Sequence, residues 1–282
     1  MDKREVLGER YATGFIRKMA SAGVPEQTSV AMLRKMAGVM DNWGRYGIGA
    51  GALGGGALAA MLAKPEVTIN KFVELDPKLT KDERNILSAG YKNIISGKRS
   101  SWRILNNMER KETEKKNTIQ SSNIKEIKDK VEKELNEICD EIQLIIDKYL
   151  IPNAIDAENK VFYLKLKADY FRYKCEFSNE KNFDEACNNA EKVYKEAYEI
   201  SKKEIPITNS TRLGLDLNFS VFYYEIKGLK EEACTIAKTA FDEAMKCLDD
   251  LEKSKAKYTL LIIQLLKENL ILWTNEMNGE EE

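Results

Sequence analysis

From Val67 onward the apolar residues recur at the three- and four-residue spacing of amphipathic helices. Thr80 and Glu83 form a capping box that opens a helix at Lys81, running through Arg103 to about Lys111. Gly97 lies inside it at a cost of about 1 kcal/mol against alanine, which the packing around it is expected to offset. A polar break over Lys115 to Asn123 precedes a long helix from Ile124 to Leu150, with Ile127, Val131, Leu135, Ile138, Ile142, Ile145 and Ile146 as its seam and Pro152 as its stop. Further helices are predicted over Val161 to Tyr173, Phe183 to Ile200, Thr211 to Lys227, Lys230 to Leu251 and Lys257 to Glu276. Pro206 with Thr208-Asn209-Ser210 marks one loop and Gly228 another break. Residues 1–46 read as two short helices broken at Gly23-Val24-Pro25, the second with an apolar stripe of Val30, Met32, Leu33, Met36 and Met40. Antiparallel helices joined by short loops make the fold all-α, a helical solenoid or curved bundle.

One segment departs from this regularity. Gly47 to Ala63 carries no charge and is built mainly from glycine and alanine. Gly47, Gly51 and Gly55 repeat every four residues, the spacing that lets membrane helices approach closely, yet the run is at the short end of what spans a bilayer and its glycines weaken a helix. A flexible linker and a membrane-inserting segment both remain open. The domain reading is an N-terminal extension over 1–66 containing this segment at 47–63, a helical domain over 67–276, and a short acidic tail over 277–282.

With 282 residues, 43% of them hydrophobic, the chain is long enough for a sizeable core. The sequence contains no histidine, which removes histidine-assisted serine and cysteine nucleophiles, histidine-containing zinc sites and imidazole proton shuttles. Forty-five Lys plus Arg against 46 Asp plus Glu give a formal charge of −1, so no general attraction to nucleic acid is expected and any anion recognition must be local. The five cysteines at 139, 175, 187, 234 and 247 include no CxxC pair and read as small apolar helix residues in a reducing compartment, with neither a disulfide framework nor a metal cluster. The first ten residues are too charged for a secretory signal, which makes the cytoplasm the default location.

Candidate chemistry lies on two polar helix faces. Lys165, Asp169, Arg172 and Tyr173 stand at i, i+4, i+7 and i+8 and share one side of a helix, while Phe162, Leu166, Tyr170 and Cys175 anchor it from behind. Lys92, Arg99 and Arg103 fall at i, i+7 and i+11, within about 40° of one another on the helical wheel. Two such stripes facing each other would form an anion site with forked donors, the arrangement that suits phosphate. The competing reading is a pair of solvated faces carrying surface ion pairs.

Two later helices present carboxamides beside apolar side chains. Asn218, Val221 and Glu225 stand at i, i+3 and i+7 with Leu217 adjacent, and Leu265, Asn269, Leu272 and Trp273 at i, i+4, i+7 and i+8. Such faces suit an extended peptide, because Asn both donates to and accepts from a backbone while leucines cover side chains. A single buried Asn is commonly only a satisfied core residue; two at equivalent places favour the binding reading.

These residues together resemble the 14-3-3 family. The likeness covers about Thr68 to Thr274 and is carried by Lys81 to Ser88, Tyr91-Lys-Asn93, Arg99-Ser-Ser-Trp-Arg103, VFYLKLKADYFRY, RLGLDLNFSVFYYEI, AKTAFDEA and LIIQLLKENLILWT, in order. The resemblance implies an all-helical cup with an amphipathic groove that binds phosphoserine or phosphothreonine peptides in extended form, catalyses nothing and needs no cofactor. By the same resemblance Lys92, Arg99, Arg172 and Tyr173 hold the phosphate, Arg103 supports the basic cluster and Asp169 orients the arginine fork. Asn218 and Asn269 bind the ligand backbone with Glu225 and Trp273 assisting. Leu217, Val221, Leu265 and Leu272 form the apolar wall, and Lys165 sits at the charged side. The implied partners are phosphorylated client proteins, with no role for nucleic acid.

The chain also departs from the family pattern. The first family helix, which usually builds the dimer interface, has no convincing counterpart, leaving homo- or heterodimer formation open, and a membrane partner would act only through 47–63. Asp216 replaces a usual alanine beside the groove helix, and the loop before Arg212 lacks its usual His-Pro.

Overall fold

The computed structural model describes residues 70, 73–74, 76–247 and 253–279; the expectations for residues 1–46, for the Gly/Ala segment 47–63 and for the tail over 280–282 lie outside them. The described residues are helices and connections without a strand. They fall in two compact units, Met1–Ser121 and Ser122–Glu282.

In the first unit, helix α1 spans Lys81–Glu114. Thr80 caps it as expected: its hydroxyl accepts from the Glu83 backbone N–H at 3.4 Å, and Glu83 Oε2 accepts from the Thr80 N–H at 2.8 Å. Val73, Leu79, Ile86, Leu87, Tyr91 and Ile95 are buried, and the Tyr91 hydroxyl donates to Asn70. Gly97 corrects one expectation: among the described residues a Cβ there would meet nothing within 4 Å, so none of them packs closely enough to offset the glycine. The break after α1 is shorter than its polar composition suggested, because Lys116 turns the chain with φ 60° and α2 begins at Thr118.

The second unit takes up the rest of α2 (Thr118–Ile145), whose last turn widens over Ile146–Leu150 so that the Ile151 N–H reaches Ile146 O at 2.9 Å. Leu135, Ile138, Ile142, Ile145 and Ile146 form the expected seam, but Ile127 is 51% exposed and Ile124 is buried in its stead. Helix α3 (Ala157–Phe177) is capped by Asp156, which accepts from the Asn159 N–H at 2.7 Å. Next come α4 (Glu180–Glu204), α5 (Ser210–Phe222, capped by Asn209) and a wide π-type turn over Tyr223–Lys227. Gly228, at φ 65°, ends that turn in the left-handed conformation glycine adopts without strain. Helices α6 (Lys230–Lys246) and α7 (Lys253–Gly279) complete the array.

Helix α3 packs most extensively on α4 and also meets α5 and both wide turns, whereas α5 touches α3, α4, α6 and α7. The core follows from these contacts. Val161, Leu164 and Ala168 of α3 meet Ala186, Cys187, Ala190 and Ala197 of α4, whose small side chains allow the helices close approach. Phe219 and Phe222 of α5 stack around Tyr194, with ring centroids 5.3 and 5.4 Å away. Beneath α6, alanines 233, 237, 240 and 244 are all buried. All five cysteines are free thiols.

Candidate functional site

The polar face expected on α3 is built around Asp169, which is buried to 4% relative exposure. One turn earlier, Lys165 Nζ donates to its Oδ2 at 2.9 Å. From α5 the Asn218 carboxamide donates to both carboxylate oxygens, at 2.8 and 2.9 Å, and from α4 the Tyr194 hydroxyl donates to Oδ1. Three helices therefore converge on one carboxylate. Burial works to raise this acid, but Lys165 and Arg172 nearby, with the hydrogen bonds from Tyr194 and Lys165, outweigh it and hold the group below its usual range.

Arg172 is the counterpart cation. Its side chain is 13% exposed, and the carboxylate at ion-pair range among the described residues is Glu225, at 4.0 Å. It does not form a close pair with Asp169; the two attract through space, and the Tyr194 hydroxyl donates to the Asp169 carboxylate. Burial acts against the guanidinium charge, but the surroundings, with Asp169 as the anion among them, more than restore it, so Arg172 stays protonated. Its Nε–H is buried without an acceptor among the described residues. The guanidinium carbon lies 4.9 Å from the centroid of the Tyr173 ring, which itself packs edge-on against Tyr170. The result is a fixed positive charge whose nearby acid is at the limit of contact, a cation still able to accept an anion.

The wide turn after α5 presents Glu225, and its position is secured from behind. Glu191 on α4 accepts from Lys227 Nζ at 2.8 Å, from the Tyr223 hydroxyl at 3.2 Å and from Lys195 Nζ at 2.7 Å. Those hydrogen bonds, from Lys195 first and Lys227 second, hold its carboxyl down at about 2. Tyr224 stacks on Trp273 of α7 with centroids 4.5 Å apart, and its hydroxyl donates to Glu276. Trp273 is thus a buried anchor between the turn and α7.

The remaining groove candidates divide by exposure. Leu217 and Val221 lie half-buried at the margin of the core, as does Asn269 on α7. Leu265 and Leu272 of α7 are 40% and 53% exposed, an apolar face open to solvent. Lys92, Arg99 and Arg103 belong to α1 of the first unit, where Lys92 and Arg103 are exposed and Arg99 is half-buried. Sequence reasoning missed Tyr194 and Glu191. A signal for the first was available: a tyrosine beside the buried stripe of α4 must find a partner for its hydroxyl. Glu191 showed only its i+4 pairing with Lys195; its link to the turn through Lys227, 36 residues away, left no signal.

Helices that turn their ionisable and amide side chains onto a few faces, with a buried carboxylate joining three of them, make an all-helical scaffold. The sequence model of the family described as 14-3-3 protein matches residues 66–274. The "14-3-3 protein beta/alpha" of Bos taurus and that of Homo sapiens are each 50% identical over 204 residues, covering 72% of this chain and 82% of the relative. That of Xenopus tropicalis is 48% identical over 214 residues, covering 76% and 87%. The chain belongs to the 14-3-3 family. Membership supports a phosphoprotein-binding adaptor role and fits dimer formation, in a family known for non-catalytic adaptors. Among the described residues no helix is long and apolar enough to cross a membrane.

Proposed function

We propose that this chain is a phosphoserine- and phosphothreonine-dependent adaptor, acting in the cytoplasm, that holds phosphorylated client segments in a basic, amphipathic groove. The observation that carries this reading is Arg172, a mostly buried guanidinium kept charged by its surroundings whose ion-pair partner among the described residues, Glu225, stands off at 4.0 Å. Arg172 and Tyr173 are assigned to the phosphate, with Asp169 in support. Asn218 and Asn269 take the ligand backbone with Glu225 and Trp273 beside them. Leu217, Val221, Leu265 and Leu272 take its side chains, and Lys165 borders the charged end.

The physical basis is gating by charge. A phosphate monoester carries about −1.5 to −2 charges at neutral pH, and each charge-assisted hydrogen bond contributes roughly 1.5–3 kcal/mol. A few such bonds separate a phosphorylated ligand from its unmodified form by orders of magnitude in affinity. Calorimetric titration of the full chain with a phosphoserine peptide and its unphosphorylated twin tests this. Binding of the first alone is the expected result, and equal binding of both rejects the reading.

A further inference from the structure

Asp216 sits on α5 between Leu215 and Leu217, 2% exposed, and its Oδ1 has no hydrogen-bond partner among the described residues. The adjacent cation does not relieve it. Arg212, one turn earlier, donates through Nη1 to Ile205 O at 2.9 Å and through Nη2 to Glu243 Oε2 at 3.3 Å, and its Nε–H has no acceptor. The charged and titratable groups around Asp216 are therefore Arg212 on α5 itself, Lys202 and Tyr198 on α4, and Glu243 on α6. Helices α3 and α7, which also pack on α5, contribute no charge to its surroundings among the described residues.

We propose that Asp216 is a proton-binding site beneath the groove helix: the folded protein holds this carboxyl neutral, and loss of the proton loosens the packing of α5 on α4 and α6. An ionised carboxylate needs donors or a close cation when taken out of water, and here Arg212 makes no ion pair with Asp216 and turns Nη1 and Nη2 to Ile205 and Glu243. Burial is the largest influence and pushes the acid up to about 7; Arg212 and Lys202 pull it down, and Glu243 adds to the rise. The same helix carries Leu217, Asn218 and Val221 on its other side, so the proton is placed to report pH to the groove candidates.

In the unfolded chain this carboxyl ionises near its ordinary value of about 3.9. The folded state thus binds the extra proton between that value and about 7, and stability falls as pH rises through this window, levelling off above it. Thermal unfolding of the full chain and of Asp216→Asn, compared from about pH 5 to about pH 8.5, isolates the effect. The gap between the two melting temperatures is expected to widen in favour of the variant by roughly 5 °C or more across the range. Parallel curves would overturn the proposal. A direct readout covers a variant that fails to fold: the ¹³C carboxyl resonance of Asp216 in the intact wild-type chain. A midpoint near neutral pH supports the proposal, and one at or below about pH 4 overturns it. Neither readout requires a phosphopeptide, so either can fail while the adaptor reading stands.

Discussion

Asp169 and Asp216 lie on two helices in contact, are both almost wholly shielded from water, and are pushed in opposite directions. Asp169 receives Lys165, Asn218 and Tyr194 and keeps its charge; Asp216 has an oxygen without a partner and is driven toward its neutral form. Burial alone predicts nothing about the sign. The number of donors aimed at each carboxylate does, because a desolvated anion is tolerable only where hydrogen bonds replace the lost water.

The sharpest way to break this comparison is the same substitution at both positions. Asp169→Asn removes the anion that Lys165 and Arg172 face and turns an amide toward the Asn218 donors. By the usual consequence of breaking a buried charged cluster it should cost about 3–5 kcal/mol of unfolding free energy. Asp216→Asn should do the reverse at pH 8, raising stability, because it removes an ionisation the site does not support. Denaturant melts at that pH measure both, and shifts of the same sign would show that donor count does not decide.

The next largest effect concerns ligand affinity. Arg172→Ala deletes the cation that Asp169 and Tyr194 support, and on the proposed function phosphopeptide affinity should fall by about 100-fold, the loss of one or two charge-assisted bonds. Titration calorimetry measures it. Arg212→Ala, the corresponding change beside Asp216, should leave phosphopeptide affinity within about threefold while lowering stability, since Arg212 ties α5 to Ile205 and Glu243.

Acid provides a third contrast. The folded-state pKa of Asp169 lies below its unfolded value, so its contribution is complete above that unfolded value and is lost as pH falls through the folded one. Asp216 acts in the opposite sense and over a higher window, its penalty absent in acid and complete above about 7. Lys165→Met removes one donor from Asp169 and should move its acid loss to higher pH in a stability–pH profile. A profile unchanged in acid would mean that Asn218 and Tyr194 suffice.

How far this contrast was legible in the sequence depends on the level. The i, i+4, i+7, i+8 spacing placed Lys165, Asp169, Arg172 and Tyr173 on one face, and the capping box at Thr80 fixed the start of α1; both are local rules. That Asp169 lies at the junction of three helices depends on Tyr194 and Asn218, respectively 25 and 49 residues away, which periodicity does not register. Asp216 was visible as an acid between leucines, yet its lack of a partner follows only from where Arg212 spends its donors. The wide turn over Tyr223–Lys227 was also hidden, since one extra residue per turn has no composition signal and here depends on Glu191 from another helix.

Tyr194→Phe is the smallest change and separates shape from hydrogen bonding at the supported carboxylate. The ring keeps its packing between Phe219 and Phe222, so the core is unaltered, and only the hydroxyl that donates to Asp169 is lost. Asn218 and Lys165 still serve the carboxylate, so the stability cost should be about 1 kcal/mol. Phosphopeptide affinity should fall about threefold to tenfold, because the Asp169 carboxylate that attracts Arg172 then loses one of its donors, a loss equivalent to one hydrogen bond. An affinity loss as large as that of Arg172→Ala would make Tyr194 itself the principal determinant of the cation's position. No loss at all would mean that Asp169 holds Arg172 through charge alone.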